Sequence, residues 1–132
     1  CLYMIMDPTQ FQVIVTCNLF GDILTDLGAA LQGGLGMAGS ANIHAADPSR
    51  VAMFEPVHGS APPLAGKDAA NPMAAILTVG MMLAHLGWPE EEVRLERIVA
   101  KAVAEKRCTV DLGGHLGTAA VGDFVMDQLA RG

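Results

Sequence analysis

Asp22 and Asp26 stand one helical turn apart in the run NLFGDILTDLGAAL (18–31), which otherwise reads as an apolar helix. At about 100° per residue, the two carboxylates fall about 40° apart on the wheel. They lie at the edge of an arc filled by Leu19, Phe20, Ile23, Leu24, Leu27 and Leu31. Like charges at this spacing repel by about a few tenths of a kcal/mol when exposed, and by more when desolvated. A divalent cation removes that cost. Hard carboxylate oxygens suit Mg²⁺ or Mn²⁺, with water and substrate oxygens completing the shell. The spacing leaves a second reading open: two solvated carboxylates, with Asp22 merely complementing the helix N-terminus.

A second stretch with chemical potential is the turn-rich loop HGSAPPLAGKDAANP (58–72). In His58-Gly59-Ser60 the glycine permits close approach to backbone N–H groups, which suits a phosphate. His58 can stack on or bond to a ring, and Asn71 can donate to a base or a ribose. The alternative is a rigid surface loop stiffened by its prolines. No P-loop or GxGxxG is present to decide, and GGLGMAG (33–39) lacks Rossmann spacing. His44, His85 and His115 are expected in surface or capping roles.

The elements that must position these residues follow from periodicity and punctuation. CLYMIM reads as the end of a helix stopped near Pro8. FQVIVTC (11–17) is β-branched and compact, and predicts a buried strand. Asn18 is placed to cap a helix over 19–31. QGGLGMAGS then breaks the pattern as a hinge or crossover. RVAMFEPV (50–57) predicts a second buried strand. Pro72 opens a helix running to about Leu86, ended by Gly87. Pro89 opens another, with Glu90, Glu91 and Glu92 in its first turn and Lys101, Lys106 and Arg107 toward its end. TVDLGGHLGT (109–118) is a second Gly-rich loop, and an amphipathic helix covers 118–130. Strands separated by helices predict an α/β class.

Bulk properties exclude several functions. The formal net charge is −6 with no basic cluster, which argues against nucleic acid. The longest apolar run, Met73 to Gly87, has 15 residues, and a bilayer span needs about 20. Cys1, Cys17 and Cys108 are odd in number and far apart, so neither a zinc site nor a disulfide framework is expected. They suggest a reducing cytoplasm, with Cys17 buried. Hydrophobic residues make up 52% of the 132. So apolar a chain of this length predicts burial against another domain or subunit, and the start at Cys1 suggests part of a longer protein.

Four ordered motifs now combine: NLFGDILTDLGAALQGGLGMAGSANI, AMFEPVHGSAP, AGKDAANP and DLGG. Together they resemble the β-decarboxylating dehydrogenases, the family of isocitrate and isopropylmalate dehydrogenases. The resemblance covers nearly the whole chain. It implies the C-terminal part of a two-domain, non-Rossmann α/β fold. Residues 1–33 would end a dimer-forming, substrate-binding domain, and residues 34–132 would form part of a cofactor-binding domain. It implies Asp22 and Asp26 as ligands of Mg²⁺ or Mn²⁺. It also implies an NAD cradle, with Glu55 near the nicotinamide and His58, Gly59, Ser60 and Ala61 along the cofactor. Asn71 and Asp111 would flank the adenine.

The implied reaction is oxidation and decarboxylation of a 2-hydroxy acid bearing a 3-carboxylate, at a metal site shared across a homodimer. The family's catalytic tyrosine and lysine, its substrate arginines and a third metal aspartate match no position here, so no catalytic acid or base is expected on this chain. The residues that read the substrate's variable group are also missing. That leaves isopropylmalate, isocitrate, homoisocitrate and tartrate open, along with a non-catalytic subunit of such an enzyme. Where NAD users carry an aspartate and many NADP users a lysine, Pro63 stands here. Leu64 beside it resembles the NAD class, so NAD is the expected cofactor.

Overall fold

The computed structural model describes residues 1–131. Five helices form: α1 (Leu2–Met6), α2 (Asn18–Gln32), α3 (Met73–His85), α4 (Pro89–Ala104) and α5 (Thr118–Ala130). One two-stranded antiparallel ribbon forms from β1 (Gly39–Asn42) and β2 (Met53–Pro56), with Ser40 opposite Glu55 and Ala41 opposite Phe54.

The core is built around α3. Its sequence, MAAILTVGMMLAH, is apolar all round, as a helix covered on several sides must be. The β ribbon lies against it on one side and α4 on another, and α5 packs on α4. In α4 the residues Leu95, Ile98, Val99 and Ala102 recur at helical spacing and are all buried. Val121 and Val125 do the same for α5. Met73, Val99, Ala102, Cys108 and Val121 form one buried cluster, and Leu95, Ile98 and Val125 a second. Gly80 lets α3 and α4 approach, since a Cβ there would lie 3.3 Å from Glu92 Cα. Gly87, at φ +102°, turns the chain between the two helices.

Four expectations need correction. Residues 11–17 form no strand. A strand is defined by its ladder, and no described segment pairs with this one, so Val13 and Val15 are 81% and 93% exposed. Asn18 is the first residue of α2; Cys17 occupies the cap position and makes no side-chain cap bond. Cys17 is exposed, whereas Cys108 is fully buried. The expected apolar arc of α2 is largely uncovered: Leu19, Phe20, Ile23 and Leu31 are exposed, and Ala29 is the helix's buried residue.

The second predicted strand does form as β2, half-buried by alternation rather than fully buried. Its partner β1, Gly-Ser-Ala-Asn, lies in the stretch read as a hinge. These residues are poor strand formers, held extended by pairing with β2. The glycines around it serve close packing. A Cβ on Gly36 would lie 2.8 Å from Asn71 Cβ, and one on Gly39 would lie 2.9 Å from Thr78 Oγ1.

Candidate functional site

Residues from four separate parts of the chain converge on one groove of about 470 Å³. The 3₁₀ turn Leu35–Met37 contributes Leu35 and Gly36. The loop after β2 contributes His58, Gly59, Ser60, Ala61 and Leu64. Asn71 stands just before α3, and Val110 and Asp111 lie in the 3₁₀ turn Val110–Leu112. Nothing in the protein lies within 4 Å of a Cβ built on Gly59, so the backbone there faces open space.

The Asn71 and Asp111 side of this groove is locked by a short chain of hydrogen bonds. Thr109 Oγ1 donates to Asp111 Oδ1 at 2.5 Å. Asn71 Nδ2 donates to Asp111 Oδ2 at 2.9 Å, across 40 residues of sequence. The main-chain N–H of Met73, the first residue of α3, donates to Asn71 Oδ1 at 2.9 Å. Gly113, at φ +76°, closes the turn that carries Asp111. The Asp111 carboxylate is exposed while Thr109 behind it is buried.

A second cavity, of about 490 Å³, is markedly more polar. Asn18, Asp22 and Thr25 reach it from the start of α2, Ser40 and Asn42 from β1, and Glu55 from β2. Ser40 and Glu55 are directly opposed in register, which puts their side chains on one face of the ribbon. His58 and Gly59 line both cavities, so the two meet at that turn. His58 Nδ1 lies 3.0 Å from the Gly59 carbonyl, a bond that requires the proton on Nδ1.

Of the residues expected from sequence, His58, Gly59, Ser60, Ala61, Asn71 and Asp111 thus surround one groove, while Asp22 and Glu55 share the other. Asp26 lies one turn beyond Asp22 on α2, exposed and outside both cavities. Among the described residues no three His, Cys, Asp or Glu side chains cluster as a metal site. Two carboxylates alone do not fit a closed structural zinc site. They do fit a hard cation that draws its other ligands from water and substrate. Pro63 sits in an exposed 3₁₀ turn, Pro62–Leu64, entered through Ala61 in the left-handed conformation at φ +42°.

Sequence reading missed Ser40, Asn42, Asp68 and Thr109. Thr109 was accessible, since a hydroxyl two residues before an aspartate favours a local bond of this kind. Asp68 carries no local signal: its Oδ1 accepts from Ala119 N–H at 2.9 Å, from 51 residues away. It thereby caps α5, and a Cβ on Gly117 would collide with its other oxygen. Replacing Asp68 with Ala should cost about 1 kcal/mol, as loss of a helix cap typically does. Thermal melting checks this, with a lowered Tm expected.

Residues 1–125 match the family profile described as isocitrate/isopropylmalate dehydrogenase. The chain belongs to that family. It is 54% identical over 118 residues to a 3-isopropylmalate dehydrogenase of Archaeoglobus fulgidus, covering 89% of this chain and 35% of that protein. To one of Corynebacterium jeikeium it is 52% identical over 130 residues, covering 97% and 36%. Among solved structures, isocitrate dehydrogenase from Methylococcus capsulatus superposes with a TM-score of 0.88 at 44% identity, covering 97% of this chain and 38% of that one. A β-decarboxylating dehydrogenase from Thermococcus kodakarensis, in its apo form, gives 0.83 at 36% identity, covering 98% and 37%. The fold is therefore that of the corresponding part of these α/β dehydrogenases. The chain spans about a third of the length of the relatives it matches.

Proposed function

We propose that this chain belongs to an NAD-linked, metal-dependent enzyme that oxidises and decarboxylates a 2-hydroxy acid with a 3-carboxylate, and that the substrate is 3-isopropylmalate, a step of leucine biosynthesis. The observation that carries the reading is the pair of cavities meeting at His58-Gly59, with Asp111 lining one and Asp22 and Glu55 lining the other. A dinucleotide is a ligand with two heads of different chemistry, and the two cavities differ in the same way.

In this reading Asp111 and Asn71 hold the adenine, and His58, Gly59, Ser60 and Ala61 follow the cofactor toward Glu55 at the nicotinamide. Asp22 and Asp26 bind Mg²⁺ or Mn²⁺. When bound, the cation would supply Lewis-acid polarisation of the substrate's oxygens, and NAD would supply a hydride acceptor. The chain's own residues bind and orient. None of them is assigned a proton transfer, which is left to the family's tyrosine and lysine outside these residues. Residues 1–33 belong to the dimer-forming domain and 34–132 to the cofactor domain. The exposed apolar arc of α2 supports a homodimer in which the metal site is shared. Among the described residues no helix is long and apolar enough to cross a membrane. We place the enzyme in the cytoplasm.

The test is NADH formation by the full-length protein with Mn²⁺, offered 3-isopropylmalate, isocitrate, homoisocitrate or tartrate in turn. Turnover should be fastest with 3-isopropylmalate and absent with the 132-residue chain alone. Preference for another of these acids would transfer the assignment to that substrate. No turnover with any of them would leave a non-catalytic subunit as the better reading.

A further inference from the structure

Loop 59–70 supplies Gly59, Ser60, Ala61, Leu64, Ala69 and Ala70 to the groove, yet every residue in it is exposed. All of these but Gly59 also line a second hollow of about 330 Å³, so the loop is a partition with open space on both faces. We infer that Asp68 and Thr118 are positioning residues, which latch this loop to the first turn of α5 and so hold the groove in the shape that takes a dinucleotide. The inference rests on the dinucleotide reading of the groove.

With no buried side chain, the loop depends on hydrogen bonds for its place. Those from Leu64, Ala65 and Lys67 N–H are turns within the loop itself. Three bonds tie it to a distant part of the described chain, and all three end at the start of α5. The Thr118 main-chain N–H donates to the Asp68 carbonyl at 3.0 Å. The Ala119 N–H donates to Asp68 Oδ1 at 2.9 Å, and the Thr118 hydroxyl to the Ala70 carbonyl at 2.5 Å. The first N–H groups of a helix have no partner inside it. Gly117 at the cap position has no side chain to offer them, so the loop meets them instead. Asp68 stands at φ +50°, a conformation that aspartate, asparagine and glycine tolerate better than other residues. The post it is tied to is firm: Val121, three residues past Thr118, is fully buried in the main core cluster.

The latch can be opened from either end. Asp68→Gly keeps the backbone conformation and removes the carboxylate. Thr118→Val removes the hydroxyl and leaves the loop's own sequence untouched. In the full-length protein without nucleotide, hydrogen exchange should quicken in residues 59–70 of both variants and stay unchanged in α3 and α4. Calorimetry should show NAD binding weakened about fivefold in each, the scale of one helix cap or one hydrogen bond. In turnover the loss should fall on KM for NAD, with kcat unchanged. Asp68→Asn and Thr118→Ser keep the acceptor and the donor respectively, and should behave as wild type. Unchanged NAD affinity in Asp68→Gly and Thr118→Val overturns the inference. So does faster exchange spread through α3 and α4, which would mark a general loss of stability, or an equal loss in the two conservative variants. Wild-type protein that binds no NAD would overturn the functional reading along with it.

Discussion

Asp26→Asn in the full-length protein should abolish Mn²⁺-dependent turnover, and Asp22→Asn should do the same, with the fold intact in both. Removal of an outer partner of a metal ligand already costs about 10–100-fold in affinity or activity, and loss of a ligand itself should exceed that. Both side chains are exposed on α2, so neither substitution disturbs buried packing. In metal-free protein the sign should reverse. Neutralising one member of a like-charged i,i+4 pair relieves about a few tenths of a kcal/mol of repulsion, so metal-free stability should rise slightly. Weaker Mn²⁺ binding by calorimetry, combined with an unchanged or higher metal-free Tm, is a signature that a structural role would not produce. Wild-type Mn²⁺ affinity in both variants would remove the ligand assignment.

Gly114→Ala should be the most damaging single methyl addition in the chain. A Cβ there would overlap the Cys108 carbonyl oxygen and lie 2.7 Å from Cys108 Sγ. Neither neighbour can yield cheaply. The carbonyl accepts from Leu116 N–H at 3.0 Å, and Cys108 is fully buried in the main core cluster. A cost of about 3 kcal/mol, at the upper end of ordinary overpacking, is expected. The strain falls on the strand of chain that leads through Thr109 to Asp111, so the KM for NAD should rise as well. Gly122→Ala supplies the contrast. Nothing lies within 4 Å of its Cβ, and the residue is inside α5. There the helix should gain about 0.5–1 kcal/mol. Melting curves of the two variants should therefore move in opposite directions. A Gly114→Ala protein as stable as wild type would mean that the 108–116 loop is far softer than its hydrogen bonds imply.

How much of this was legible in the sequence depended on whether the signal was local. The helices were: Pro72, Gly87 and Pro89 punctuate α3 and α4 where expected, and the buried period in α4 is written into Leu95, Ile98, Val99 and Ala102. The ribbon was only half legible. Met53–Pro56 lies within the run read as a strand, though its alternating burial was not foreseen, and Gly39–Asn42 is a strand through its partner and not through its own residues. Residues 11–17 show the converse, a strong strand composition with no described partner to pair with. At the candidate site, the motifs named His58 through Ala61, Asn71 and Asp111, but not the groove they line together. Ser40, Asn42 and the Asp68 cap arise from tertiary proximity alone, and one sequence carries no trace of such meetings.

α2 has a consequence of its own. Leu19, Phe20 and Ile23 occupy the same first two turns as Asp22, on a rod only about 10–12 Å across. Any surface that shields those three side chains from solvent must also border the carboxylates. Under the proposed function, with Asp22 on the metal and the apolar arc in a homodimer, assembly and catalysis would thus be mechanically yoked in one rigid segment.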